Sequence, residues 1–232
     1  MLNKNTINIL QAMNSITNSA ILKYPTTILN NSAGDVVVQL NMEALDTESF
    51  PEIGVYNLSE FINTFKLFDD YTCNISDNII NISNNDSSVQ YLTTNTNVLE
   101  NFNKSEKLFT STESVTSVSE FTLSVDDIKR IKQAAGIFKD LSDIIIISKD
   151  DDIEIKLGNT NNFNAKSNSF GIKKIGVNST KEFVVKIPAE NFNSLPSGEY
   201  TFEVKYNEAK DAYRLLMKSN EIDMKVLMAI KK

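Results

Sequence analysis

"VYNLSEFINTF" (Val55–Phe65) and "VKIPAENFNSL" (Val185–Leu195) say the same thing in two places. Laid over each other without a gap, Val55 meets Val185, Glu60 meets Glu190, Ile62 meets Phe192 and Asn63 meets Asn193; Thr64 meets Ser194, and Phe65 meets Leu195. One residue of slack then sets "DYTCNI" (Asp70–Ile75) over "EYTFEV" (Glu199–Val204). Upstream, "LNKNTINILQAMNSI" (Leu2–Ile16) shares its apolar rhythm with "LSVDDIKRIKQAAGI" (Leu123–Ile137), and "DVVVQL" (Asp35–Leu40) shares its rhythm with "DIEIKL" (Asp152–Leu157). A repeat this long is a duplicated domain, because solenoid repeats run only about 20–50 residues.

Each half reads helix, strands, helix, strands. The expected fold is α+β, with two similar domains of antiparallel sheets and two helices each. The first domain takes residues 1–102 and the second takes 121–232. Between them "NKSEKLFTSTESVTSVSE" (Asn103–Glu120) shows neither helical nor strict strand period and reads as an extended connector. The spacing predicts a first helix with Ile9, Leu10, Met13 and Ile16 inward and Lys4, Asn8, Gln11 and Ser15 outward. A second starts near Asn57 or Ser59, with Leu58, Phe61, Ile62, Phe65 and Phe68 inward and Lys66 outward. A third is "DIKRIKQAAGIFKD" (Asp127–Asp140), with Ile128, Ile131, Ala135 and Phe138 inward. A fourth, short, is begun by Pro188 and holds Phe192 and Leu195.

Chemistry is sparse. The chain has no His and one Cys, Cys73, which removes the commonest general base and any thiolate metal cluster. Nucleotide-binding glycine loops and nucleophile elbows are absent from the sequence. Asp150-Asp151-Asp152 sits where two strands should turn and reads as a solvated hairpin tip. The expectation is a protein that is not an enzyme and uses neither cofactor nor metal. No apolar run reaches the roughly 20 residues of a membrane helix, the first residues lack the build of a signal peptide, and the single thiol suits a reducing cytoplasm.

The net charge is -7, from 23 Lys+Arg against 30 Asp+Glu. Such a chain repels phosphate at long range, so any nucleic-acid contact must be a local basic surface. Lys129, Arg130, Lys132 and Lys139 gather on the third helical segment and form one. Taken alone, a charged helix face is commonly just a solvated face. The repeat adds weight, since the matching first helix carries Lys4 and Gln11 on its polar face and the second carries Lys66.

"LNKNTINILQAMNSITNSAIL" (Leu2–Leu22) followed by "IGVYNLSEFINTFKLFDD" (Ile53–Asp70) resembles the start of the DNA polymerase sliding clamps of T-even-type bacteriophages, members of the PCNA-like clamp superfamily. There the same places read as a Leu-x-Lys helix and a Tyr-x-Leu-x-x-Phe helix ending in acids before a strand. In the second half the likeness rests on the order of elements and the "SVDDI" helix start (Ser124–Ile128). The resemblance implies a homotrimeric ring, with sheets as its outer wall and helices lining a hole for double-stranded DNA of any sequence. Lys4, Lys66, Lys129, Arg130 and Lys132 become phosphate contacts, with Lys139 in the same basic segment and Gln11 a weaker polar contact where the family has a base. It implies DNA polymerase and clamp loader as partners, and the cytoplasm of an infected bacterial host as location. It also implies a client pocket by the connector, for which Leu40, Met42, Leu108, Phe109, Val226 and Met228 are the local candidates. Leu108 and Phe109 are expected to be exposed there. Subunit contacts are expected between edge strands, Tyr91 and Leu92 against Phe170 and Ile172 of a neighbour. The rival reading is a duplicated β-rich structural phage or virion protein with no DNA role. A monomer that holds DNA by charge alone fits the net acidity poorly.

Overall fold

The computed structural model describes residues 2–99, 106–159, 169–177 and 179–231. The chain divides into two compact units, the first spanning Met1–Leu108 with Ile222–Met224, the second Phe109–Glu221 with Lys225–Lys232. The boundary read from the sequence, 102/103, lies outside the described residues. The rest of the expected connector is only partly extended. It holds helix α3 (Glu106–Glu113) and the start of strand β8 (Ser117–Leu123).

The first unit opens with α1 (Lys4–Met13), capped by the Asn3 side chain on the Thr6 amide at 2.9 Å. Then come β1 (Ala20–Leu22), β2 (Thr26–Asn30), β3 (Val36–Asn41) and β4 (Ile53–Val55). Next are α2 (Leu58–Phe65), β5 (Thr72–Ser76), β6 (Ile79–Ser83) and β7 (Ser88–Leu92). All pairings are antiparallel, in the orders β4-β1-β2-β3 and β5-β6-β7. The second unit runs β8, α4 (Val125–Ile137), β9 (Asp143–Lys149), β10 (Asp152–Gly158), β11 (Phe170–Lys174) and β12 (Phe183–Pro188). It finishes with α5 (Ala189–Asn193), β13 (Tyr200–Asn207), β14 (Ala212–Ser219) and β15 (Met224–Met228). Its orders are β12-β9-β10-β11 and β15-β14-β13-β8.

From α1 to β7 and from α4 to β15 the two units match element by element, with α3 and β8 standing between the two series. The match also moves one alignment, since by position in the sheets β3 corresponds to β11 and not to β10, which holds "DIEIKL". Strands of similar apolar rhythm are interchangeable by pattern, and only pairing order separates them. In both units an isolated bridge links the two sheets, Gly54 to Thr94 in one and Lys186 to Lys231 in the other. Gly54 is required there: a Cβ would lie 2.3 Å from the Thr94 carbonyl oxygen.

Helices form where amphipathic spacing meets a cap. On α1 the buried side chains are Thr6, Ile7, Leu10 and Met13. Ile9, expected inward, is only half-buried, because the burying face is set by Ile7 and its neighbours at three and six residues on. On α2, Leu58, Phe61, Ile62 and Phe65 are buried, and Phe61 meets Phe65, Tyr91 meets Phe61 and Tyr71 meets Phe65 edge-on at 5.1–5.2 Å. On α4, Ile128, Ile131, Ala134 and Ala135 are buried, while Phe138 is the half-buried C-cap. Phe202 of β13 stacks with Phe121 at 5.2 Å and with Phe192 of α5 at 6.4 Å, tying helix to sheet. The aspartate run is a hairpin tip between β9 and β10, with Asp150 and Asp151 at φ 53° and 60°. Cys73 is buried.

The start of α4 is a capping box: Ser124 accepts from the Asp127 amide, and Asp127 accepts from the Ser124 amide at 3.1 Å. Lys174 of β11 adds an ion pair to Asp127 at 2.5 Å. Burial works against the charged Asp127, but the hydrogen bonds from Lys174 and Ser124 outweigh it and hold the carboxyl below the usual range. A carboxyl with a folded-state pKa below its unfolded value, about 3.9, stabilises above that pH and loses its contribution as the pH falls through the folded value. Urea unfolding is therefore expected to show Ser124→Ala less stable by about 1 kcal/mol at neutral pH. It should also show the parent's advantage over Asp127→Asn shrinking steadily below about pH 4.

Candidate nucleic-acid interface

Within each unit a helix pair, α1 with α2 and α4 with α5, leaves one polar face to solvent. In the first unit that face holds Lys4, Asn8, Gln11 and Ser15 from α1 and Ser59, Asn63 and Lys66 from α2, all exposed except for parts of their stems. Lys66 is the C-cap of α2, where a cation suits the helix dipole. Lys4 reaches back, its Nζ donating to the Asp69 carbonyl at 3.5 Å. In the second unit Lys129, Arg130, Gln133 and Gly136 are exposed on α4, and no ion pair holds Lys129 or Arg130 among the described residues.

Acids are placed by rule. Helix α1 has none, and those of α2, α4 and α5 lie in their first turns: Glu60, Asp126 with Asp127, and Glu190. There they complement the positive helix end and satisfy amides without a helical partner. Beyond the first turn the outward faces are polar or basic. The avoidance of Asp and Glu on the outward helix centres is legible in the sequence; that the acids stand in the first turns follows once the caps fix each helix start.

Two of the expected contacts stand elsewhere. Lys132 is half-buried, and its ammonium donates to the Leu195 carbonyl beyond α5. Burial lowers its pKa. It ties α4 to the end of α5 and does not point out with Lys129, because the face one position on from Ile131 turns toward α5. Lys139 is exposed in the turn after α4 and is not a helix residue.

The client candidates are mostly core. Leu40, Met42, Phe109, Val226 and Met228 are buried, and Leu108 is half-buried, so the expected exposed pair does not exist; Phe109 is 1 % exposed. The error is one of strand parity. Val226 pairs with Met217 and Met228 with Leu215, on the core side with Phe202, whereas Lys225 and Leu227 take the opposite face. The pattern "KVLM" carried that signal in its lysine. Of the expected contact strands, β7 pairs with β6 alone and β11 with β10 alone among the described residues, so each is a sheet edge. Tyr91 turns inward onto Phe61, Leu92 is 73 % exposed, and Phe170 and Ile172 are half-buried rims of their own core.

A cleft of about 270 Å³ is lined by Leu2, Lys4, Asp69, Tyr71 and Cys73 among others. Burial pushes the Cys73 thiol up to about 11, which leaves it protonated and a poor nucleophile at neutral pH. Among the described residues no three His, Cys, Asp or Glu side chains converge as metal ligands. No described helix is long and apolar enough to cross a membrane.

Two-fold repetition of helix pairs on antiparallel sheets has close counterparts among solved structures. The proliferating cellular nuclear antigen (PCNA) of Entamoeba histolytica matches with a TM-score of 0.67 at 10 % identity, over 98 % of this chain and 95 % of that one. The fold is the clamp fold. PCNA of A. fulgidus, solved with the C-terminal region of FEN-1 bound, gives 0.65 at 12 % identity over 97 % and 94 %. PCNA of Thermococcus kodakaraensis gives 0.65 at 12 % over 97 % and 95 %. No family model and no curated protein sequence matches the chain.

The placement of Lys132 has a titration consequence. A lysine whose pKa is lowered on folding gives up its proton more readily in the folded state, so the unfolded state binds more protons and stability rises with pH through that interval. Compared with Lys132→Met, the parent is expected to gain stability in urea unfolding as the pH rises toward the ordinary lysine value, about 10.4. Lys129→Ala and Arg130→Ala should each stay within about 0.5 kcal/mol of the parent.

Proposed function

We propose that the chain is a DNA sliding clamp, a ring of three copies that encircles duplex DNA and tethers a replicative polymerase. The observation that carries this reading is the exclusion of acids from the outward helix faces beyond their first turns, in a clamp fold whose net charge is -7. A clamp holds DNA by topology and must slide, so it needs a few cations on phosphate and no base readout. Lys4, Lys66, Lys129 and Arg130 supply them in the proposed ring. Gln11 adds a neutral hydrogen bond, and Lys132 stands behind as a structural tie. The acidic remainder keeps duplex from sticking outside the hole.

Ring closure follows from the sheets. Open strand edges recruit other chains unless covered, and head-to-tail pairing of unlike edges closes a ring. Strands β7 and β11 suit this, with exposed Leu92 on the first and Ile175, 80 % exposed, directly after the second. A neighbour's strand would also cover the half-exposed Phe170 and Ile172. The resemblance to T-even-type phage clamps favours a phage protein acting in the cytoplasm of an infected bacterium, loaded onto DNA by a clamp loader.

Light scattering at micromolar concentration is expected to give three times the chain mass, in exchange with monomer on dilution. A strict monomer would overturn the ring. Binding to a short duplex is expected to weaken with salt, and Lys129→Ala with Arg130→Ala should reduce the slope of log K against log salt by about 2 or more. Lys132→Met should leave that slope alone. An unchanged slope in the double variant would move the reading to a structural protein without a DNA role.

A further inference from the structure

The match between the two units stops at one strand. In the second unit β8 pairs with β13 along Tyr200–Lys205 and runs through Leu123 straight into α4. In the first, Leu2 takes the place of Leu123 ahead of α1, and β5 is the counterpart of β13. Among the described residues β5 pairs with β6 alone, and no backbone hydrogen bond outside that ladder holds residues 72–76.

The open side shows in the side chains. Val204 and Tyr200 are fully buried with β8 beside them, while their counterparts Ile75 and Tyr71 are only half-buried. The Tyr200 hydroxyl donates to the Pro196 carbonyl at 3.0 Å, whereas the Tyr71 hydroxyl is buried with no partner among the described residues. The cleft lined by Leu2, Tyr71, Thr72 and Cys73 lies at the end of this open side. A water takes about 30 Å³ of liquid, so the cleft's volume of about 270 Å³ admits a large side chain.

Edge strands are commonly guarded by lysine, proline, a bulge or a cover. Strand β5 reads TCNIS, which holds neither lysine nor proline, and its register with β6 is unbroken. Its edge offers alternate N–H and C=O groups to an added strand. Asp69 and Asp70 stand before it and Asp77 after it, all exposed and without an ion pair among the described residues. Two copies pairing antiparallel through β5 would bring the Asp70 end of one against the Asp77 end of the other, so like charge opposes self-pairing. A strand with cations at both ends is attracted instead.

We infer that the free edge of β5 is a docking site for an extended segment of another protein, which adds antiparallel to β5 with one apolar side chain in the cleft and basic residues flanking it. The inference goes beyond the clamp reading and does not rest on it, since its test uses neither DNA nor a ring.

The probe is a labelled peptide with the sequence of Ser117–Thr122 between two lysines, KSVSEFTK. By fluorescence anisotropy it is expected to bind the parent saturably, and a scrambled peptide of the same composition is not. A variant carrying SVSEFT directly ahead of Leu2 should fill the place itself and bind the peptide at least about tenfold more weakly. Asp70→Asn with Asp77→Asn should weaken binding at least about threefold. With saturating peptide, amides of β5 should exchange about tenfold more slowly and those of β13 at their former rate. Protection of β13 in place of β5, or equal binding to the parent and the extended variant, overturns the inference. If the extension lowers the mass of the protein in solution, a second copy covers the edge and the inference falls. Should the extended variant not fold, exchange on the unaltered chain decides, and β5 amides unprotected by the peptide sink the proposal.

Discussion

One contact in each unit sets the terms for everything else. Gly54 meets Thr94, and Lys186 meets Lys231, where the chain has just left the last strand of one sheet and touches the edge of the other. Two antiparallel sheets joined at such a point bend around whatever fills the space between them, and here that is the apolar side of a helix pair. Close backbone approach is why position 54 is a glycine, since a side chain would strike the Thr94 carbonyl. In the second unit the tail does more. Lys231 also pairs with Asp143, a carboxylate 2 % exposed at the mouth of β9. A buried carboxylate without that ammonium would carry a large desolvation cost.

With one side of each helix committed to the sheets, the other side is free to be chosen for charge. On α2, α4 and α5 the acids stand in the first turn, where the helix end attracts them, and not beyond it. Asp126 lies three residues before Lys129 and four before Arg130, within reach along the helix. No ion pair joins them among the described residues, and the two cations stay exposed. The arrangement keeps positive charge available to a partner while a chain of net -7 surrounds it.

Much of this was legible in the sequence. The duplication, the four helices that pack on sheets and nearly every longer strand follow from period and from the ungapped match of Val55–Phe65 with Val185–Leu195. The losses have physical reasons. Strand β1 has three residues, too few for any period to show. Helix α3 has a single buried aromatic and polar neighbours, so its spacing is weak, and tertiary contacts to Arg214 and Lys225 hold what propensity alone would not. In the site, Lys4, Gln11, Lys66, Lys129 and Arg130 lie exposed as expected. Lys132 could not be read, because its turn toward the Leu195 carbonyl depends on where α5 ends.

The second unit separates its cations into two kinds, and the separation follows from what lies under each. Sheet cations stand beside strands, where a nearby register position is often an acid: Lys218 and Lys205 share Glu203, and Lys173 takes Asp152, while Lys225 takes Glu113 from α3. Burial opposes the Glu203 charge, yet hydrogen bonds from Lys218 and Lys205 hold its carboxyl below the usual range. That cluster is neutralised locally and projects little field. Lys129 and Arg130 instead stand on a helix whose following turns contain only Ile131, Lys132, Gln133 and small residues before Ile137. Their charge is left for solvent, or for a polyanion. A polyanion approaching this unit would find Lys173, Lys205, Lys218 and Lys225 already engaged and the α4 pair open. Charge pairing on the sheets thereby does part of the work of directing it, without any base on the sheets having to be removed.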